Sequence, residues 1–412
     1  MSFYISMPDE VITALNLLNN NGFEAYIVGG CVRDSLLGVA PKDWDITTSA
    51  KPEEIIRCFK RYRTINTGLK HGTVTVIINE RQLEVTTYRI DGRYTDNRHP
   101  DSVLFTEKIS HDLKRRDFTI NSLAYNEQGM VDLFGGAEDI KNKVIKCVGE
   151  PDERFNEDGL RILRALRFAS VLGFDIDENT SCSIHRNTGL LNNISKERIS
   201  TEFSMLVIGV NYHNIMKDYR DVIEVFIPEV GKISREDWKD ILNSMNFADG
   251  VTLKLALILY KTGRGEAILK NLKYDGKTIK AVKFIEKYKD EKILPDKISI
   301  KKQLNTIGYD NYIYLLKFKT AVLMTQKNKY ERELSNIRDA ETILNNILIN
   351  KECYNLSMLT VNGEDLMKAG IPKGVLLGSV LNELLNLVIE EKLENNKETL
   401  MNYVRKHRKI KN

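Results

Sequence analysis

The stretch Tyr26-Ile27-Val28-Gly29-Gly30-Cys31-Val32-Arg33-Asp34, followed by Asp43-Trp44-Asp45, decides how the rest of this chain is read. Tyr26 to Val28 predicts a short buried strand, the glycine pair allows a tight turn, and Val32 to Leu37 predicts a helix start with exposed N–H groups. Backbone donors at a helix N-terminus carry about half a positive charge, so this turn suits a polyphosphate, with the Arg33 guanidinium beside it. Asp43 and Asp45 stand at i and i+2, which on a strand puts both carboxylates on one face and Trp44 and Ile46 on the other. Such a pair can hold hard divalent cations such as Mg2+, which activate a hydroxyl and stabilise a leaving pyrophosphate. A lone Gly-Gly is usually a simple turn and a lone Asp-x-Asp a solvated edge. Here the two occur close together and in the order that a phosphate-and-metal site requires.

With 412 residues, 42% of them hydrophobic, the chain is long enough for more than one domain with its own core. A net charge of +4 with 29% charged residues argues against a wholly basic nucleic-acid scaffold, while leaving room for a local basic surface. Cys31, Cys58, Cys147, Cys182 and Cys353 are widely spaced, with no C-x-x-C pair to suggest zinc or a disulfide framework, and a reducing cytoplasm fits best. No basic n-region precedes an apolar run, and no stretch approaches the roughly 18 apolar residues of a membrane helix, so a soluble protein is expected.

Residues 9 to 21 predict an amphipathic helix through Val11, Leu15 and Leu18. Pro52 in a first turn opens another, with Ile55, Ile56 and Phe59 on its buried side. Val74 to Ile78 and Leu83 to Thr87 predict a hairpin around Asn79 to Gln82, and Ser122 to Tyr125 with Met130 to Leu133 a second around Gly129. Lys143 to Val148 predicts a last strand, so a mixed sheet with helices on it is expected. Tyr88 to Ser102, polar and holding Asp91, Arg93, Asp96, Arg98 and His99, predicts a mobile loop. Lys114-Arg115-Arg116 clusters three cations before an apolar run; such clusters commonly cap a helix C-terminus, and a triphosphate nearby would give Arg116 a second use.

From Pro151 the pattern is helical almost throughout, which sets the main boundary near residue 148. In Glu157-Asp158-Gly159-Leu160-Arg161-Ile162-Leu163-Arg164-Ala165-Leu166-Arg167-Phe168-Ala169, Ile162, Leu166 and Ala169 share one stripe. Arg161, Arg164 and Arg167 step round the opposite side as an outward ladder, and Asp158, one turn earlier, is expected to meet Arg161. Three successive arginines at i+3 repel one another without an anionic partner. Helices are also expected over residues 199–208, 237–245, 253–260, 278–288, 312–325 and 330–349, and through Leu377, Leu381, Leu384, Leu385 and Val388. The terminal run Arg405 to Lys411 is basic, equally a solvated helix end or an RNA-backbone contact.

Gly29-Gly30-x-x-Arg33-Asp34, Asp43-x-Asp45, Arg115-Arg116-Asp117-Phe118-Thr119-Ile120-Asn121, Glu157-Asp158-x-x-Arg161-x-x-Arg164 and Glu197-Arg198-Ile199-x-x-Glu202 stand in order. With them the chain resembles the class II tRNA nucleotidyltransferases, the bacterial CCA-adding enzymes, densely over residues 20 to 205 and weakly beyond. The resemblance implies an α+β protein: a mixed-sheet nucleotidyltransferase head (1–148), then an all-helical neck with the base-reading helix (149–205), body (206–329) and tRNA-binding tail (330–412). It implies Mg2+ as cofactor, CTP and ATP as substrates and tRNA as partner, with no membrane; a homodimer is left open. Asp43 and Asp45 become metal ligands and catalytic residues; Gly30, Arg33 and Arg116 become nucleotide contacts; Asp158 and Arg161 become base readers, with Arg164 and Arg167 also lining the nucleotide site. Glu84 is a candidate third carboxylate, and Glu197, Arg198 and Glu202 brace the neck. Ile371-Pro372-Lys373-Gly374 matches the family's glycine-proline turn only in part.

Base reading by one carboxylate and one guanidinium has an independent physical basis. Cytosine and adenine both set an exocyclic amino donor beside a ring-nitrogen acceptor, whereas uracil and guanine reverse that pattern. The wrong base leaves buried polar groups unpaired, a mismatch that can discriminate by roughly 10^4 to 10^5. Competing readings are an A-adding or CC-adding enzyme, a bacterial poly(A) polymerase, or a catalytically silent RNA-binding protein on the same scaffold. Gly68-Leu69-Lys70-His71-Gly72-Thr73-Val74 looks like the CCA-type pattern and counts against the polymerase, the loop from Asp91 to Arg98 against a CC-only enzyme, and the Asp43, Asp45 pair against the silent scaffold.

Overall fold

In the computed structural model, which describes residues 4–66, 68–92 and 102–407, the opening stretch forms strand, turn and helix as its residue types demand. Helix α1 (Asp9–Asn20) leads to strand β1 (Ala25–Val28), the glycine turn and α2 (Gly30–Leu36). Strand β2 (Asp45–Thr48), helix α3 (Pro52–Cys58), β3 (Arg63–Ile65), β4 (Thr73–Ile78) and β5 (Arg81–Thr87) follow. Asn79 and Glu80, with φ of 45° and 68°, turn β4 into β5. That is the left-handed pair a two-residue hairpin needs, so the turn is shorter than the four residues the sequence suggested.

Beyond it come β6 (Arg89–Asp91), β7 (Val103–Phe105), α4 (Ile109–Lys114), β8 (Leu123–Asn126), β9 (Gly129–Asp132) and α5 (Gly136–Lys141). Seven strands make one sheet in the order β3-β4-β5-β2-β1-β8-β9. The β2–β5 pair is parallel and the others antiparallel, so the sheet is mixed, as expected. Ile27, Ile46, Val74, Val76, Leu83 and Val85 are fully buried, and each such side chain contributes about 1.5–3 kcal/mol through removal from water.

Two expectations need correction. The segment from Tyr88 is not loop throughout: Tyr88 is fully buried, and β6 pairs with β7 from Arg89↔Phe105 to Asp91↔Val103 as a separate ribbon. Strands of three residues are too short to show an alternation that sequence reading can detect. Arg93, Asp96, Arg98 and His99 lie outside the described residues. Nor does residues 143–148 join the main sheet: β10 (Val144–Ile145) pairs in parallel with β11 (Asp175–Ile176), and Cys147 bridges to Phe118.

After β10 the described elements are helical apart from β11, with α6 (Pro151–Glu157), α7 (Leu160–Leu172), α8 (Glu178–Arg186) and α9 (Lys196–Ile208) in turn. Helices α7 and α9 lie so close that a Cβ on Gly209 would stand 2.3 Å from Ser170 Oγ, and that hydroxyl donates to Leu206 O at 2.7 Å. One compact unit runs to Ile233 and takes in Lys270–Tyr274, where the Tyr274 hydroxyl meets Ser204 and Ser200 of α9. The other comprises Ser234–Leu269 and continues from Asp275; its described elements are all helical. Its second half packs Val361, Leu366, Val380, Leu384, Leu385, Ile389 and Leu400 together. There Lys301, only 4% exposed, is neutralised by Glu352 and Glu391. Among the described residues no helix is long and apolar enough to cross a membrane.

Candidate nucleotide and metal site

Gly29 has φ 81° and ψ −125°, backbone that an L-residue with a side chain rarely adopts. A Cβ there would also stand 2.9 Å from Arg116 Nη1. The glycine therefore serves twice, turning the chain into α2 and letting Arg116 lie against the turn. Gly30 begins α2 with only Arg33 Nη2 near its missing Cβ, at 3.7 Å. Arg33 is fixed by Asp34 Oδ1, which accepts from Nε at 2.9 Å and Nη2 at 2.7 Å, and by Asn121 Oδ1 at 2.6 Å from Nη1.

Arg115 and Arg116 do more than cap α4. Both reach back to Asp112, which is fully buried and whose Oδ2 also accepts from Thr47 on β2. Burial would raise the Asp112 pKa, but the two guanidinium groups outweigh it and hold the carboxyl below its usual range. Arg116 Nε is buried with no hydrogen-bond partner among the described residues. Buried donors are nearly always paired, so such a group is suited to an oxyanion.

Asp45 opens β2 and Asp43 precedes the strand; both are exposed, while Trp44 and Ile46 are buried, which is the alternation expected. Glu84 on β5 stands in register beside Asp45 and is exposed as well. Although Asp45 keeps access to solvent, the protein packed around it raises its carboxyl pKa; the charge of Glu84 raises it further, Arg116 offsets part, and Asp43 adds again. Carboxylate oxygens crowded in this way are a donor set that fits a hard divalent cation. Among the described residues no group of three His, Cys, Asp or Glu side chains closes on one point that could hold a metal, so the donors offered are the Asp43, Asp45 pair with Glu84 alongside.

Along α7 the arginines are not an outward ladder. Arg161 is 9% exposed: Nη1 reaches Glu157 Oε2 at 2.5 Å and Arg154 O at 3.1 Å, and Nη2 donates to Arg115 O at 3.0 Å. Arg164 donates Nε and Nη2 to Asp117 Oδ2 at 2.8 and 2.6 Å. Arg167 forms an ion pair with Glu202 at 2.7 Å, too bent to count as a hydrogen bond. Asp117 is buried, which alone would raise its pKa, yet Arg164 and Arg161 outweigh burial and lower it to about 2. In return Asp117 raises the Arg164 pKa, whereas burial lowers that of Arg167.

Asp158 does not meet the Arg161 side chain. It ends α6 in extended backbone, φ −142°. Its Oδ1 accepts the Leu160 N–H at 3.0 Å, capping α7, and both carboxylate oxygens accept from Arg198 of α9, at 3.3 and 2.7 Å. Asp158 and Arg161 are thus each held in place by separate partners, and their shared contact is the Arg161 N–H to Asp158 O bond at 2.9 Å. Sequence reasoning assigned no role to Asp112, Asp117, Asn121 or Phe168. Asp112 had a legible signal, its i+3 and i+4 spacing to Arg115 and Arg116; Asn121, which donates to Asp117 Oδ1 at 3.2 Å while accepting from Arg33, had none beyond its place in the motif.

Residues 25–146 match the family described as "Poly A polymerase head domain", 173–231 the one described as "Probable RNA and SrmB- binding site of polymerase A", and 249–404 the one described as "tRNA nucleotidyltransferase domain 2 putative". The chain is similar to the CCA-adding enzyme of Enterococcus faecalis, 35% identical over 409 residues, covering 97% of this chain and 96% of that one. It is 34% identical to that of Lactobacillus helveticus, with 97% and 98% covered. Among solved structures it is similar to the Bacillus stearothermophilus CCA-adding enzyme in complex with CTP: TM-score 0.76, 28% identity, 98% of this chain and all of that one. It also shares its fold with the Thermotoga maritima CCA-adding enzyme, at TM-score 0.63 and 20% identity over 97% and 96% of the chains.

Proposed function

This chain belongs to the CCA-adding enzymes, and from that premise we propose how its site builds the 3′-terminal CCA of tRNA from CTP and ATP without a nucleic-acid template. The tRNA 3′ hydroxyl attacks the nucleotide α-phosphate, a new phosphodiester forms, and the bond to the leaving pyrophosphate breaks. Asp43 and Asp45 would hold Mg2+, which would supply Lewis acidity toward the hydroxyl and offset charge on the phosphates. Gly30 keeps the turn open, and Arg33, Arg116, Arg164 and Arg167 bind the nucleotide, their guanidinium groups opposing the charge that builds on pyrophosphate.

Asp158 accepts from the exocyclic amino group of C or A, and Arg161 donates to the neighbouring ring nitrogen. Arg198 and Glu157 fix these two side chains before the base arrives, so little orientation is lost on binding. Head, neck, body and tail fall at 1–148, 149–205, 206–329 and 330–412, with the tail gripping tRNA. Five unpaired cysteines support work in the reducing cytoplasm.

Arg116 carries this reading: it lies over the Gly29 turn, offsets the raised Asp45 carboxyl, and has a buried Nε still seeking an acceptor. Asp43→Ala and Asp45→Ala are each expected to abolish nucleotide addition while tRNA binding and thermal stability stay near wild type. Near-normal turnover by both variants in Mg2+ refutes the assignment.

A further inference from the structure

Phe168 is the side chain on which the site's arginines converge. Arg167 lies with its guanidinium carbon 4.0 Å from the ring centroid, Arg33 at 5.1 Å and Arg164 at 5.3 Å. Two of these belong to α7 and the third to α2, so the contact joins the glycine-turn helix to the base-reading helix inside one unit. The ring itself is 7% exposed and stands edge-on to the fully buried Phe118, centroids 5.9 Å apart at 80°. Phe118 follows Asp117, which holds Arg164, and precedes Asn121, which holds Arg33. A paired aromatic wedge therefore stands behind the cations, and the segments that carry their polar partners flank it.

Three guanidinium groups this close repel one another. Each has a carboxylate beside it: Asp34 for Arg33, Asp117 for Arg164, and Glu202 for Arg167, with Glu202 also 3.8 Å from Arg164. Those ion pairs set where each group is tethered. An aromatic face, negative at its centre, attracts all three at once and takes up none of their N–H donors. Donors not used by the carboxylates stay available for an anion.

We propose that Phe168 is a positioning residue for the polyphosphate of the incoming nucleotide, its ring gathering Arg33, Arg164 and Arg167 around one point. This rests on the reading that those arginines bind the nucleotide, and it makes the ring's electrons, rather than its bulk, the property that matters. The ring acts on the phosphates that CTP and ATP share, so it affects both nucleotides alike and leaves base choice to Asp158 and Arg161.

The test compares shape with charge. Phe168→Leu is expected to raise KM for CTP and for ATP together by about ten-fold, equivalent to about 1.4 kcal/mol and within the span of one cation–π contact, with kcat changing less than about three-fold. The dissociation constant of inorganic tripolyphosphate should rise by the same factor, and Phe168→Tyr, which keeps the face, should restore both. Should Phe168→Leu fold poorly, mono-, di- and trifluorophenylalanine at position 168 keep the shape while draining the face, and KM should climb step by step along the series. Unchanged KM and tripolyphosphate binding across that series overturns the inference. If Arg33→Ala and Arg167→Ala weaken tripolyphosphate binding while the ring series does not, the ring proposal alone fails. If the arginine variants also leave it unchanged, the reading of the arginines fails as well.

Discussion

Replacing Asp117 by Asn tests the electrostatics that hold α7 to the segment between α4 and β8. Asp117 Oδ1 accepts from the Phe118 N–H at 2.9 Å and from Asn121, and Oδ2 takes two donors of Arg164. With a pKa lowered from 3.8 to about 2 in the folded chain, the ionised carboxylate stabilises the fold by about 2 kcal/mol. Asn keeps the shape but removes the charge, leaving Arg164 with Glu202 at 3.8 Å. Because the Arg164 side chain is 33% exposed, the expected loss is about 2–3 kcal/mol, under the 3–5 kcal/mol of a fully buried broken pair. The sign follows from the depressed pKa: the contribution is complete above about pH 4 and disappears as pH falls from there through about 2. The chain holds two tryptophans, Trp44 and Trp238, so urea unfolding in a Trp238→Phe background reports the sheet-bearing unit through Trp44. A gap between wild type and Asp117→Asn under 0.5 kcal/mol at pH 7, or one that persists undiminished at pH 3, refutes the reasoning.

Changing Asp158 or Arg161 to Ala should alter base choice more than turnover with an accepted nucleotide, so UTP or GTP incorporation rises relative to CTP; full discrimination in Arg161→Ala would mean another group reads the base. Glu157→Gln should loosen Arg161 and move the CTP:UTP ratio in the same direction, more weakly, and a ratio equal to wild type would show that the Glu157 contact is idle. Deleting residues 93–101 should leave CTP addition measurable while ATP addition to tRNA ending in CC is largely lost, since one pocket must accept a pyrimidine and then a purine. Asp91, at the root of that segment, lies 3.7 Å from Arg115, whose carbonyl holds Arg161. An equal fall in both rates would make the segment a general support for catalysis.

Local chemistry was legible where the deciding contacts lie within a few residues. The Gly29-Gly30 turn, the alternation around Trp44 and the β4–β5 hairpin all follow from neighbours in sequence. The partners of Asp158, Arg164 and Arg167 do not. Asp158 stands three residues before Arg161, one helical turn, but α6 ends at Glu157 and α7 begins at Leu160. The i+3 pairing of Asp158 with Arg161 fails across that break: Arg161 meets Glu157, at i+4, while Asp158 turns to Arg198. Nor could helical periodicity reveal that the polar side of α7 is covered by Asp117 and Glu202, 47 and 35 residues from the arginines they bind. A stripe of arginines gives the same periodicity whether water or carboxylates face it.

The central claim is the product. Shortened tRNAs lacking the 3′ CCA, ending in C, or ending in CC, each incubated with CTP and ATP in Mg2+ and resolved to single-nucleotide length, test it directly. All three should extend to CCA and stop there. Extension of only the CC-ended tRNA, arrest at CC, or a growing ladder of A residues would contradict it.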